Sequence, residues 1–338
     1  MLTYNPQFRE DPEYAYAVAR IRALETKLIE PGAFSSLIGT PIERFGTYFH
    51  ELTGIEGASS DDLHLLVNSL EKRFTNTFFL VKSLLLDEGI SRLISLKYDY
   101  ELLKLVLKEQ RGKDIEPPES FMDRSRYSYE DLKAMLEAGK VIDLGPVMSN
   151  VYAVVSEAKQ ITGREIDYRC DLAYYEEVFE IIESLDNDFI QNFFLREIDA
   201  QNIMGGVRLK LLGGKRSQLR ERYIPFGTID LGYLEQILDL SLEGFAQKIV
   251  FSPLAGVLLK VNKGSPEEEQ ITQLERLIDE DMLMFLRETI FVTFGVEPVL
   301  AYLWMNEVEL RNLRTVLIAK HAGVSASEMK FHIRGVYG

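Results

Sequence analysis

The sequence predicts an all-α fold, and three observations carry that reading. Apolar residues recur at steps of three and four along most of the 338 residues. Polar caps, several with proline just behind them, mark one helix start after another. No stretch alternates cleanly enough to demand a strand; Ile249-Val250-Phe251 and Val336-Tyr337 are the weak candidates.

The elements follow in order. Asp11-Pro12-Glu13 reads as a cap, a proline at the first helical position and an early acid. Tyr14, Val18, Ile21, Leu24 and Leu28 then form a stripe that Pro31-Gly32 is expected to stop. Ser60-Asp61-Asp62 is a second start. Behind it Leu63, Val67, Leu70, Phe74, Phe78, Val81 and Leu85 predict a helix to Asp87, roughly 40 Å long, with Gly89 as its stop. Ser128 with Asp131 resembles a capping box. Pro146 opens a helix that Gly163 closes, and Asp167 or Asp171 opens the stretch ending near Leu185. Asp186-Asn187-Asp188 is a turn before Phe189 to Leu212, and Asp230 starts a short helix towards Ser241. Ser265-Pro266-Glu267-Glu268 reads as a capping box opening a helix towards Phe291. Glu297-Pro298 opens another through Lys320, and Ser325 to Glu328 is a last capping box.

Composition narrows the function. Apolar residues make up 46%, enough for a packed core. The 53 acids and 38 bases leave a net charge of −15, which argues against a nucleic-acid binder or an independent binder of anionic membrane. One cysteine, Cys170, excludes an internal disulfide framework and fits a reducing compartment. The opening MLTYNPQFREDPEY has neither a signal peptide's apolar run nor a transit peptide's arginines. The weakly charged run from Ile290 to Met305 is too short to span a bilayer, for which about 20 residues are needed. The expectation is a soluble, cytoplasmic protein that meets a membrane only through a partner.

Two polar linkers, Arg111 to Arg126 and Gly213 to Gly227, cut the chain into units of 1–120, 121–220 and 221–338. Near the end of each lies a helix that begins with an acid and continues as an apolar and basic stripe. These begin at Asp99, Asp199 and Glu309; Asn202 aligns with Asn312, and Lys104 with Arg314. Acid start and basic end suit any helix dipole, so the pattern fits either a triplication or three ordinary helices. If the triplication is real, three similar units can close around an axis and share a docking cavity.

Motifs for catalysis are missing. His50, His64, His321 and His332 show no i, i+4 pair, and a lone cysteine makes no thiolate cluster. Gly213-Gly214-Lys215 fails as a phosphate loop, because Leu209 stands where the first glycine belongs and Arg216 where Ser or Thr binds magnesium. Gly205-Gly206 reads as close helix packing. Asp61-Asp62, Glu267-Glu268-Glu269 and Asp279-Glu280-Asp281 read as solvated faces, and Cys170 as a small core residue. Tyr174-Tyr175, Phe193-Phe194 and Trp304 are core or interface aromatics. The basic stretch with Lys215, Arg216, Arg220 and Arg222 suits an acidic partner.

Val299 to Lys320 (VLAYLWMNEVELRNLRTVLIAK) resembles the C-terminal signature of the C subunit of the V/A-type ATPases, whose eukaryotic vacuolar homologue is the d subunit. Leu195 to Met204 is similar to that family's second E-x-D-x-x-N-L helix. Tyr98 to Lys104 is similar to the first, with Leu102 in place of the frequent Asn, and Tyr14 to Arg22 fits the opening. The similarity covers essentially the whole chain. It implies a funnel of three pseudo-symmetric helical units around a central cavity, and a rotor part without an active site, metal or cofactor of its own. The funnel would join the central shaft, made of the D and F subunits, to the membrane proteolipid ring. It would pass torque between ATP chemistry and H⁺ or Na⁺ flow, and would sit in the cytoplasm, peripheral to the membrane.

The polar faces of the repeated helices supply the candidate contact residues Asp99, Asp199, Asn202, Glu309, Arg311 and Asn312. Two readings stand for them: lining or bracing the cavity, or plain helix capping and buried hydrogen bonding inside the chain. Two other function classes remain beside the rotor. An all-helical adaptor of an unrelated soluble complex would not fractionate with membranes. A helical hydrolase with an acid-only metal site would bind a divalent ion and lose activity with chelator.

Overall fold

In a computed structural model, residues 8, 10–55, 63–112, 123–262 and 264–333 are described, and among them there are helices and turns but no strand. Ile249-Val250-Phe251 is a turn, and Val336-Tyr337 lies outside the described residues.

After a 3-10 turn at Pro12–Tyr14, capped by Asp11, come α1 (Ala15–Glu25), α2 (Pro31–Gly39), α3 (Ile42–Thr53), α4 (Leu63–Leu84) and α5 (Glu88–Glu109). Then follow α6 (Tyr129–Glu137), α7 (Pro146–Glu157), α8 (Gly163–Leu185) and α9 (Asp188–Leu211). The rest is α10 (Arg216–Arg220), α11 (Leu231–Leu234), α12 (Leu242–Ala246), α13 (Leu254–Leu259), α14 (Glu267–Arg287), α15 (Glu297–His321) and α16 (Ala326–His332).

Several starts are capped where the sequence places them. Ser128 accepts from Asp131 N, Asp230 from Tyr233 N and Ser325 from Glu328 N. Other boundaries fall elsewhere. Pro31-Gly32 does not stop a helix but opens α2, because proline at the first helical position has no N–H to leave unsatisfied. Gly89 lies in the first turn of α5 and Gly163 is the first residue of α8; their caps are Asp87 and Thr162. Ser265 does not cap α14. The cap position is Pro266, and the Ser265 hydroxyl instead accepts from Gln273 Nε2 at 3.1 Å. The stretch Gly213 to Gly227 is not all linker, since α10 lies in it. Residues 56–62 and 113–122, with the predicted start at Ser60 and most of the first linker, lie outside the described residues.

The chain divides into two compact units. The first takes the chain up to Leu84, Asp188–Tyr223 and everything from Gly227; the second takes Leu85–Asn187 and Ile224–Phe226. In the first unit α4 packs along α15, and α9 along α14. Phe34, Leu37, Phe45, Phe49, Leu66 and Leu70 meet Leu313, Val316 and Leu317 in one apolar cluster. A second cluster joins Ile203 and Val207 to Ile229, Leu234, Ile237, Phe245 and Leu274. The Gly205-Gly206 pair divides here. A Cβ on Gly206 would stand 2.8 Å from Ile237 Cγ2, so that residue must be small, whereas Gly205 faces open space. In the second unit α5 packs along α8, and α6 and α7 cover them.

These contacts have an order. Grouped by the sequence thirds, each third holds two consecutive long helices: α4 and α5, α8 and α9, α14 and α15. The second long helix of one third packs on the first long helix of the next: α5 on α8, α9 on α14, and α15 back on α4.

Candidate functional site

The three acids that open the repeated stripes are all buried: Asp99 on α5, Asp199 on α9 and Glu309 on α15 are 0%, 1% and 7% exposed. A buried carboxylate needs hydrogen bonds or a counter-charge, and each finds them in a remote segment. Asp99 accepts from Ser125 Oγ and Arg126 N at 2.7 Å each, and from Arg126 Nε at 2.6 Å. Asp199 accepts from Thr228 N at 2.8 Å, from Ile229 N at 3.1 Å and from the Thr228 hydroxyl. Glu309 accepts from Ile29 N at 2.7 Å and Arg73 Nη2 at 2.8 Å.

The accepted amides occupy matching places. Arg126 lies two residues before Ser128, the cap of α6. Ile229 immediately precedes Asp230, the cap of α11, and Ile29 immediately precedes Glu30, the cap of α2. Each acid therefore holds the lead-in to a short helix of another third: α6 for Asp99, α11 for Asp199 and α2 for Glu309.

Electrostatics separates them. Burial pushes the Asp99 carboxyl above its ordinary 3.8, opposed chiefly by the Arg126 guanidinium. Burial pushes Asp199 up too, but what opposes it most is the Thr228 hydroxyl and two backbone amides. The packed helix pairs carry further ion pairs. On α5 and α8, Glu177 is 2% exposed and accepts from Tyr100 OH at 2.8 Å and from Arg92. Lys104 reaches Glu101 at 2.7 Å and Asp171 at 2.6 Å, and Lys108 pairs with Asp167. On α9 and α14, Arg196 pairs with Asp281 at 2.7 Å and Arg208 with Glu275. On α4 and α15, Arg314 lies 3.6 Å from Glu71.

Of the six candidate residues, Asn202 and Asn312 are also buried, on α9 and α15. Arg311 is different: its side chain is 40% exposed and 3.7 Å from Asp279. The sequence does not single out the remote partners Arg126, Thr228, Ile29 and Arg73, or the buried Glu177. Nothing within a few residues of them signals the role.

The other sequence features resolve as follows. Tyr175, Phe193 and Phe194 are buried, and the Trp304 ring stacks on Phe193 at 3.5 Å. Cys170 is fully buried, and burial pushes its thiol up to about 12. In the basic stretch Arg216 pairs with Asp239 and Arg220 with Glu235. A shallow groove follows one face of α7 along Gly145, Pro146, Ser149, Tyr152, Ala153 and Ser156, with Glu157 as its one titratable carboxyl group. Among the described residues no group of three or more His, Cys, Asp and Glu could hold a metal ion. No helix of the described residues is long and apolar enough to cross a membrane.

Known proteins resemble this chain along nearly its full length. The C subunit of the A-type ATP synthase of Methanococcoides burtonii is 22% identical over 329 residues, 92% of this chain and 91% of that protein. The C subunit of the A-type ATP synthase of Thermococcus kodakarensis is 24% identical over 331 residues, 93% and 88% of the two chains. The C subunit of the V-type sodium ATPase of Enterococcus hirae is 23% identical over 337 residues, 96% and 99%. The profile of the ATP synthase (C/AC39) subunit family matches residues 17–331, and the chain belongs to that family of rotary ATPase subunits.

Proposed function

We propose that this chain is a non-catalytic central-stalk subunit of a V/A-type ATPase, a socket that joins the shaft of the D and F subunits to the membrane proteolipid ring. It turns with both and passes torque between ATP chemistry and ion transport. The observation that carries the reading is the match of the family profile from residue 17 to residue 331.

The packing order supports it. A torque coupler has to resist shear, and close-packed helices do so. Here each long helix is braced to one from the next third by apolar contact and by ion pairs. We take the three thirds as pseudo-equivalent units around one cavity. Asp99, Asp199, Asn202, Glu309 and Asn312 brace it from within the chain, and the exposed Arg311 is the member of the set free to face a partner. Contacts to shaft and ring are expected to be broad and partly ionic, and so to weaken with salt.

The test is affinity purification of the tagged chain from detergent-solubilised membranes. Co-purification of the D and F subunits together with the proteolipid ring is expected. Recovery with soluble partners alone would favour an adaptor and overturn the reading.

A further inference from the structure

We propose that an acid and a base eleven residues apart on α9, and again on α15, act as one two-ended clamp that fixes the axial register of the short helix it grips. The acid ends are Asp199 and Glu309, which hold the Ile229 and Ile29 amides. The base ends are Lys210 and Lys320, in the last turns of the same two helices. Lys320 Nζ donates to Ile38 O at 2.6 Å and to Thr40 O at 2.7 Å, where α2 ends. Lys210 Nζ donates to Ile237 O at 3.2 Å and to Leu240 O, where the 3-10 turn Glu235–Leu238 that continues α11 ends.

The spacing turns two contacts into a clamp. Eleven residues make about three helical turns, so acid and base leave one face of their helix. The gripped segments match that length: Ile29 and Thr40, like Ile229 and Leu240, are also eleven residues apart. The charges have the right signs. A carboxylate meets amides at the lead-in and an ammonium meets carbonyls at the far end, each complementing the dipole of the gripped helix. Among the described residues neither lysine forms an ion pair with a carboxylate; each gives its ammonium to backbone carbonyls.

Between the two ends the packing is apolar. Phe34 and Leu37 of α2 share a cluster with Leu313, Val316 and Leu317 of α15, and Leu234 and Ile237 share one with Ile203 and Val207 of α9. Apolar contact is non-directional and tolerates axial sliding, whereas hydrogen bonds at both ends of a helix do not. On α5 the same device is stretched over two helices. Asp99 holds the Arg126 amide ahead of α6. Arg111, just past the end of α5, donates from Nη2 to Val155 O at 2.6 Å and to Ser156 O at 3.2 Å, in the last turn of α7. The base is thus the second half of a repeat of which the acid is the first. The inference concerns this chain alone and does not depend on the rotor reading.

Amide hydrogen exchange of the full chain tests it, because breaking one end of a clamp is read at the other. In Lys320→Met the Ile29 amide, bonded to Glu309 at the opposite end, is expected to exchange about tenfold faster relative to a core amide of α15 such as that of Leu313. In Lys210→Met the Ile229 amide is expected to respond in the same way. Two separate caps would fray only at the substituted end. An Ile29 or Ile229 amide that keeps its wild-type rate relative to the core, while the carbonyl end frays, would therefore overturn the proposal. Should Lys320→Met not fold, Lys210→Met decides alone.

Discussion

Asp99 and Asp199 stand 100 residues apart in the sequence and do one job with different chemistry. Each is a buried carboxylate on a long helix that holds the lead-in to a short helix further along the chain. Around Asp99 the donors include a guanidinium, Arg126, itself 3.9 Å from the buried Glu177. Around Asp199 the contacting donors are neutral: one hydroxyl and two amides. The lesson is that the shared requirement is an acceptor of fixed shape at this place on the helix. Whether a counter-charge accompanies it is a local choice.

Substituting asparagine at each position sharpens the comparison. In Asp99→Asn one oxygen can still accept from Ser125 and the Arg126 amide, but the new NH₂ meets the donor Arg126 Nε. Two donors then oppose each other, and of its ion pairs the guanidinium keeps only the 3.9 Å approach to Glu177. The expected loss is about 3 kcal/mol by urea unfolding, the low end for breaking a buried pair because Arg126 is part exposed.

Gly227→Ala comes next. Its methyl group would overlap Asp199 Oδ1 and force the lead-in outward, at about 2 kcal/mol. In Asp199→Asn the retained oxygen accepts both amides and the new NH₂ can donate to the Thr228 hydroxyl, which is able to accept. The expected cost is about 1 kcal/mol. An Asp199→Asn as costly as Asp99→Asn would show that charge at Asp199, and not shape, holds the lead-in.

The same pair predicts a pH effect. The folded-state pKa of Asp199 is raised by burial. Its contribution is then fully present below the ordinary value of 3.8 and is lost as pH rises through the raised folded value. The stability difference between wild type and Asp199→Asn should therefore be larger at pH 4.5 than at pH 7, measured by urea midpoints. A difference that grows with pH contradicts this assignment. The smallest effect is at Arg311. Its exposed, 3.7 Å pairing with Asp279 leaves Arg311→Ala within about 0.5 kcal/mol of wild type.

Much of the helical skeleton is legible in the sequence, because caps and stripes are local signals. Asp11, Ser128, Asp230 and Ser325 cap the helices they announce. The errors come from residues with two meanings. Pro31, Gly89 and Gly163 look like stops but stand in first turns, where proline and glycine are also tolerated. Helices α2 and α3 escape the pattern although Phe34, Phe45 and Phe49 are in the core: the proline-glycine pair masks the start of α2, and α3 starts behind Pro41 with no side-chain cap.

At the candidate site the acids are visible as a repeat spaced by 100 and 110 residues, but their partners are not. Arg126, Thr228 and Ile29 reach them only through the tertiary fold. Sequence periodicity locates the acceptor on the helix and says nothing about what donates to it.

The proposed rotation of this chain with shaft and ring is open to cysteine cross-linking within the assembled ATPase. Tying the chain to the shaft or to the proteolipid ring should leave ATP-driven ion transport intact, because parts that turn together lose nothing when joined. Tying it to a stationary part of the complex should abolish transport. Transport that survives the stationary link, or is lost on linking to the shaft, contradicts the account.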